Sequence, residues 1–156
     1  MNAVENVFPP GLERSMAFHS WTRSIRCNFI TATWYRKRIR AEIQWGREHE
    51  IALYLADYTT PFGLLALEEL IKDRKENGGI KICAYRTMLF GKRRTYRLWK
   101  EPELDVTLLC GQADYYYGTH PNDALAFLLP QVAIHCSETG RIVLEKKRRT
   151  WKVYGE

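Results

Sequence analysis

The segment TWYRKRIRAEIQWGREHEIALYLADYTT, residues 33–60, decides how the first half of this chain is interpreted. It opens with aromatic and β-branched residues, which suit a pleated and half-buried surface. A polar stretch around Gly46 separates this run from residues 51–58, which are apolar on both faces, as expected of a central strand. The segment therefore predicts two strands joined by a hairpin loop, with two tyrosines and several cations near one end.

The flanking N-terminal sequence extends this β-rich pattern. Residues 1–12 contain two adjacent prolines, which are excluded from helix interiors and central strands, and they predict an arm. Residues 18–43 are rich in aromatic and β-branched residues and predict strands. After the central strand, residues 64–77 place their leucines on one stripe and are followed by two glycines, which predicts a helix with a defined end.

The second half combines further strands with one short helix. IKICAYRT (80–87) and DVTLLCG (105–111) each predict a strand. HPNDALAFLLP (120–130) predicts a short helix, because Asn122 or Asp123 can cap it and a proline follows it. Residues 132–147 predict two strands around a Ser-Glu-Thr-Gly turn.

Composition limits the classes of protein to which this chain can belong. The chain has 156 residues, 46% of them hydrophobic, which suffices for one core that two closely packed lobes could share. Its apolar runs fall short of the roughly 18 to 20 residues that cross a bilayer, and its first residues do not form a secretory signal. We therefore expect a cytoplasmic protein with no contact to a membrane. The net charge of +6 favours an anionic partner.

Two motifs carry a resemblance to a known family. WYRKRI (34–39) and LYLADYTT (53–60) resemble the Tudor domain, in which a Trp-Tyr-Arg strand leads through a turn into an apolar strand that ends in Asp-Tyr-Gly-Asn. The match covers residues 27–75. GGIKICAYR (78–86) looks like the strand that follows in extended Tudor domains.

The resemblance implies a mostly β (α+β) fold. A small SH3-like Tudor barrel would pack against a staphylococcal-nuclease-like lobe of OB type with one or two helices. Residues 1–26 would form an N-terminal arm and the first elements of the accessory lobe. Residues 27–75 would form the barrel and the helix after it, and residues 76–156 a non-catalytic accessory lobe.

The resemblance also implies a ligand, because the barrel mouth of the family holds methylated arginine in an aromatic cage. Leu55 and Thr60 stand where the family has an aromatic residue and an asparagine, so the cage is incomplete. The implied function is a non-catalytic adaptor that binds an arginine-containing segment of a partner protein. An Argonaute/PIWI-type N-terminal tail is one candidate, which would place the chain in the piRNA pathway and in cytoplasmic, perinuclear germ granules. The barrel-mouth residues are Phe29, Tyr35, Leu55, Asp57, Tyr58 and Thr60.

Binding to single-stranded RNA is the alternative function. Three cation-rich stretches contain aromatic residues, and such stretches can stack bases while their cations contact phosphates. The residues that would bind RNA are Arg36, Lys37, Arg38, Lys92, Arg93, Arg94, Lys147, Arg148 and Arg149. The same stretches can equally be strands with one buried aromatic residue and a solvated outer face.

Catalysis and metal binding find little support in the sequence. Glu145 and Lys147 have the spacing of a metal-dependent nuclease strand, but that chemistry needs an upstream aspartate, for which Asp105 and Asp123 are only nominal candidates. His135 and its neighbouring cysteine point to opposite faces of a strand, which excludes a pairing of nucleophile and base. The four cysteines lack zinc-ligand spacing. We therefore predict no enzymatic activity, no metal and no cofactor.

Overall fold

The computed structural model describes residues 4–5, 7–20, 29–87, 106–118, 121–145 and 150–154. Within these ranges, eight strands form one sheet with helices on both faces. The strands are β1 (Val4–Glu5), β2 (Ser15–Phe18), β3 (Leu53–Asp57), β4 (Lys81–Tyr85), β5 (Tyr115–Tyr117), β6 (Ile134–Ser137), β7 (Gly140–Glu145) and β8 (Thr150–Tyr154). The helices are α1 (Phe29–Glu48), α2 (Pro61–Asn77), α3 (Val106–Gly111) and α4 (Pro121–Asp123), which continues as a π turn (Ala124–Leu128) and a 3-10 turn (Leu129–Gln131).

The order of the strands creates a switch point beside β2. The sheet runs β1-β5-β4-β3-β2-β6-β7-β8. All pairs from β1 to β6 are parallel, whereas β7 and β8 add in antiparallel fashion. The chain winds from β2 through β3 and β4 to β5, and then returns to place β6 on the other side of β2. In open sheets of this kind, ligands bind in the crevice at the carboxyl ends of the strands where the winding reverses.

Alternate residues of the central strands supply two cores, because successive side chains point to opposite faces of a sheet. On the front face, Tyr54 and Ala56 of β3 pack beneath α1, α2 and α3. On the back face, Leu53 and Leu55 pack against the turns that follow α4, including Leu128. β3 is therefore buried on both sides, as the sequence predicted for a central strand.

The prediction that residues 34–39 form a strand is wrong, because they lie in the 20-residue helix α1. Ala32, Arg36, Ile39 and Ile43 are among its buried residues, and their spacing of three and four is that of a helix face. Trp34, which a strand would have placed in a core, is 55% exposed. The polar stretch around Gly46 continues the same helix instead of forming a hairpin loop. The described part of residues 27–75 is thus a helix, a strand and a helix, and contains no small barrel.

Residues 106–111 are also helical, where the sequence predicted a strand. Val106 and Leu109 are buried three residues apart, which is one helical turn, and both belong to the front-face core. The coarse expectation of an α+β chain is confirmed. The chain is not mostly β, however, because helices α1 and α2 alone span 20 and 17 residues.

The prediction of a helix over residues 64–77 is confirmed by α2, which begins at Pro61. The Thr60 hydroxyl accepts a hydrogen bond from the Gly63 amide, and Pro61 occupies a first-turn position where no amide hydrogen is needed. Gly78 ends the helix with a φ of 66°, a left-handed backbone conformation that residues with a side chain rarely adopt. Gly63 is required for another reason, since a Cβ there would collide with the Asp57 carbonyl oxygen.

Three other sequence predictions are confirmed. β4 begins at Lys81, the short helix begins at Pro121, and β6 and β7 form a hairpin around residues 138–139. β4, β6 and β7 all pair within the one sheet. In the part of the chain that the structure describes, no helix combines the length and the apolar character that a bilayer crossing requires.

Candidate functional site: a crevice at the carboxyl edge of the sheet

The residues predicted for a barrel mouth lie in different parts of the fold. Tyr35 is on α1 and packs edge-on against Phe62 of α2, with ring centroids 5.7 Å apart. Tyr58 lies after β3, and its hydroxyl is 2.7 Å from that of Tyr116. Both tyrosines contact the front-face core, so they are packing residues rather than two walls of a cage. Phe29 begins α1, and its side chain lies outside the described part of the structure.

The other three predicted residues have separate roles. Leu55 is fully buried in the back-face core. Thr60 caps α2. Asp57 stands at the end of β3 and lines a cavity at the carboxyl edge of the sheet. Of the six predicted barrel-mouth residues, Asp57 is the one that lines this cavity.

The arginines proposed for RNA binding on α1 are engaged in ion pairs. Arg36 pairs with Glu68 and, at 2.8 Å, with Glu69. Arg38 pairs with Glu42 at 3.6 Å and donates a hydrogen bond to a backbone carbonyl. Lys37 is exposed. The remaining six of these residues lie outside the described part of the chain: Lys92, Arg93, Arg94, Lys147, Arg148 and Arg149.

The register of the parallel strands brings polar side chains together at the carboxyl edge. Ala17 of β2 pairs with His135 of β6, so both residues lie on the same face of the sheet. His19 lies two residues beyond Ala17 and shares that face. Asp57 lies there too, because Leu55, two residues before it, also pairs with Ala17. Residues that are far apart in sequence therefore meet on the back face of the switch point.

These side chains line a cavity of about 720 Å³, which we call the sheet-edge crevice. One wall is polar and the other is apolar. The polar wall consists of His19, Ser20, Asp57, Thr87 and His135. The apolar wall consists of Leu125, Leu129 and Pro130, from the turns after α4. Ile142 of β7, which pairs with His135, adds apolar surface beside the polar wall.

His19 and His135 form a hydrogen-bonded pair on the polar wall. Nε2 of His19 lies 3.1 Å from Nδ1 of His135. Nε2 of His135 lies 3.3 Å from the Val132 carbonyl oxygen, which can only accept a hydrogen bond. This contact places a hydrogen on Nε2 of neutral His135. The Val132 carbonyl thereby helps to orient the His135 ring.

Both imidazoles are neutral at pH 7. Burial lowers the pKa of His19 to about 4, although a backbone hydrogen bond with Ser20 opposes this effect. Burial, reinforced by the neighbouring His19, lowers the pKa of His135 to about 4 as well. A low-polarity environment disfavours the charged form of an imidazole. The pair therefore contributes hydrogen-bonding nitrogens to the crevice without adding positive charge.

Asp57 is held by neutral donors. Its Oδ1 accepts from the Thr59 amide at 3.0 Å and from the Thr59 hydroxyl at 2.5 Å, and its Oδ2 accepts from the Thr87 hydroxyl. Burial raises the pKa of Asp57 to about 6, against the opposing effect of these hydrogen bonds. The side chain is therefore mostly a carboxylate at pH 7.

The sequence analysis missed the part that the two histidines play. His19 was not singled out, and His135 was considered only together with Cys136, whose thiol is buried on the other face of the sheet. The available signal was a polar side chain at or near the carboxyl end of an apolar strand, in a fold with parallel strands. A closed barrel has no such edge, so the barrel prediction gave these histidines no shared site.

Comparison of the chain with family models, with curated proteins and with solved structures finds no match. The Tudor resemblance therefore stays a prediction. The geometry of the crevice is the feature of the described structure that bears on function.

Proposed function

We propose that this chain is a ligand-binding domain whose site is the sheet-edge crevice. The observation that carries the proposal is the convergence of side chains at the carboxyl ends of β2, β3 and β6 on one wall of a cavity whose other wall is apolar. A volume of about 720 Å³ falls within the range typical of small-molecule sites. Its position at a topological switch point is the usual one for ligands of open parallel sheets.

The two walls suit a ligand with one polar end and one apolar side. The histidine pair, the Ser20 hydroxyl and the Asp57 carboxylate offer hydrogen bonds that fix orientation. Leu125, Leu129 and their neighbours offer apolar surface that a ligand can cover. Each Å² of apolar surface removed from water favours binding by about 25 cal/mol. A few polar groups against a mostly apolar lining is the composition expected of such a site.

The adaptor role, RNA binding and the absence of catalysis stay predictions. Residues 29–75 form no barrel mouth, so an arginine of a partner protein would have to enter the sheet-edge crevice instead. For RNA, Lys37 on α1 is the predicted contact whose charge is exposed in the described part of the structure.

A cavity-filling substitution tests the proposal. Leu125 lines the crevice and is 53% exposed, so Leu125→Trp can occupy the opening without disturbing the core. Leu108→Trp is the matched control, because Leu108 is 60% exposed on α3 and does not line the crevice. Benzamidine, benzamide and benzoate serve as probes of equal size and different charge, and amide chemical shifts follow their binding.

We expect at least one probe to bind the native chain with a dissociation constant near or below about 1 mM. Its shifts should centre on Ser20, Thr87 and His135, persist in Leu108→Trp and weaken at least tenfold in Leu125→Trp. Binding that survives in Leu125→Trp, or three probes that leave the spectrum unchanged, would contradict a ligand site in the crevice.

A further inference from the structure

We infer that the sheet-edge crevice selects an organic cation with an apolar body, such as an ammonium or amidinium compound, and that the Asp57 carboxylate binds its charge. This inference rests on the proposed ligand-binding role and names the class of ligand. It depends on three features of the described residues: an unbalanced buried carboxylate, the lack of a competing cation on the crevice walls and an apolar surface opposite.

Asp57 is 1% exposed, yet in the described part of the chain no lysine or arginine forms an ion pair with it. The hydrogen bonds to its carboxylate come from neutral groups of Thr59 and Thr87. Neutral donors solvate a carboxylate without cancelling its charge. A buried charge without a counter-charge is costly, and proteins usually pair such groups. A cationic ligand would supply the missing counter-charge.

The protonation state of Asp57 agrees with this geometry. Burial raises its pKa to about 6, so the ionised form persists at pH 7 despite the unfavourable environment. A cation bound beside it would favour the ionised form further and lower its pKa. Cation binding should therefore release the proton that remains on Asp57 near pH 6.

No titratable group described on the crevice walls competes for this role. His19 and His135 are neutral above pH 5, because burial lowers the pKa of each to about 4. Tyr85, which interacts electrostatically with Asp57 from β4, stays neutral because burial raises its pKa well above the ordinary value. Arg86 precedes Thr87 but acts on Tyr58, which belongs to the front face. The described lining residues of the crevice thus carry one net negative charge at neutral pH.

Two further features suit an amidinium or ammonium group on an apolar body. The Ser20 hydroxyl oxygen is buried, lines the crevice and has no hydrogen-bond partner among the described residues, so it can accept an N–H from the ligand. Leu125, Leu129 and Pro130 face the polar wall and can cover a ring or an alkyl chain. An anion would meet the Asp57 charge and is excluded by repulsion.

The test compares benzamidine, benzamide and benzoate in calorimetric titrations at pH 7.5. We expect benzamidine to bind at least tenfold more tightly than benzamide, and benzoate to be the weakest of the three. Asp57→Asn should reduce benzamidine affinity to the level of benzamide. Asp73→Asn, which removes the same charge from α2 outside the crevice, should leave it unchanged. A parallel titration with N-acetyl-arginine amide shows whether a protein side chain or a free small molecule is the better source of the cation.

The native chain provides a second test in case Asp57→Asn fails to fold. Benzamidine affinity should fall at least fivefold between pH 7.5 and pH 5, as Asp57 takes up a proton, while benzamide affinity should stay constant. Equal affinities for the three probes at the crevice would overturn the cation inference and leave the ligand-binding role intact. No binding of any probe would instead remove the ligand-binding role itself.

Discussion

At the residue scale, the histidine pair shows how position changes chemistry. His135 would titrate near 6.5 in water, but burial beside His19 lowers the pKa of both rings to about 4. Their hydrogen bond joins two residues that are 116 positions apart. Neither imidazole is a cation at neutral pH, so the pair does not oppose the charge of Asp57.

The lowered pKa values make the stability of the fold depend on pH. An unfolded chain binds protons on both histidines below about pH 6.5, whereas the folded chain does not bind them until about pH 4. Acidification from pH 6.5 to pH 4 therefore favours unfolding through each ring by about 3 kcal/mol. Asp57 has the opposite effect. Its pKa of about 6 in the folded chain lies above its ordinary value, so the folded chain binds this proton at a higher pH than the unfolded chain does. The net loss in the free energy of unfolding should be about 3 kcal/mol.

Urea denaturation at pH 7 and at pH 4.5 measures this loss. His135→Gln keeps a side chain that can hydrogen-bond but cannot become a cation, so it should reduce the difference between the two pH values by at least half. An undiminished difference in His135→Gln would show that the pair does not control acid stability.

Gly63 gives a steric prediction at the same scale. Alanine normally stabilises a helix by about 1 kcal/mol relative to glycine. At position 63, however, the added Cβ would collide with the Asp57 backbone carbonyl, which cannot move without disturbing the end of β3. We expect Gly63→Ala to lower the free energy of unfolding by about 2 kcal/mol.

Gly111→Ala is the control for Gly63→Ala. Gly111 ends α3, is exposed and has no atom near an added Cβ. Its substitution should change stability by no more than about 1 kcal/mol, in the stabilising direction if at all. Equal effects of the two substitutions in urea denaturation would exclude the steric account.

At the scale of elements, an ion-pair cluster joins α1 to α2. Glu69 is 4% exposed and accepts from Arg36 and from Arg40, each at 2.8 Å. Burial alone would raise the pKa of Glu69, but the hydrogen bonds from Arg40 and Arg36 outweigh this effect and hold the pKa below its usual value. The cations of α1 that suggested nucleic-acid binding thus serve in part to attach one helix to the other.

The two arginines differ in exposure, and this difference provides a matched pair of substitutions. The Arg36 side chain is 11% exposed and that of Arg40 is 61% exposed. Arg36→Met should lower stability by about 3 kcal/mol, because it leaves buried carboxylates without their main partner. Arg40→Met should cost at most about 1 kcal/mol, since solvent screens an exposed pair. Similar losses in the two variants would show that burial does not set the strength of this cluster.

At the scale of the whole molecule, the barrel prediction depended on one element. A strand over residues 34–39 would form a hairpin with residues 53–60, and that hairpin would belong to a small barrel. The structure instead inserts helix α1 before β3, and β3 pairs with β2 and β4 in parallel. Aromatic and β-branched composition favoured the strand, whereas the spacing of Ala32, Arg36, Ile39 and Ile43 favoured a helix, and the spacing was the better guide.

Charge is also distributed unevenly across the molecule. The chain carries a net charge of +6, yet the described crevice walls carry a net negative charge at neutral pH. Arg36, Arg38 and Arg40 of α1 are balanced by glutamates on α1 and α2. Net charge therefore does not indicate the charge of the ligand that the crevice prefers.

The sequence by itself determined the elements whose signals are local. The terminal glycines of α2, the apolar run of β3 and the turn between β6 and β7 act over a few residues, and each was predicted correctly. It also placed Asp57 at the end of a buried strand. Only the tertiary structure decided that His19, Asp57 and His135 share one wall. Parallel pairing joins distant segments through packing on both faces of the sheet, and no local pattern encodes that register.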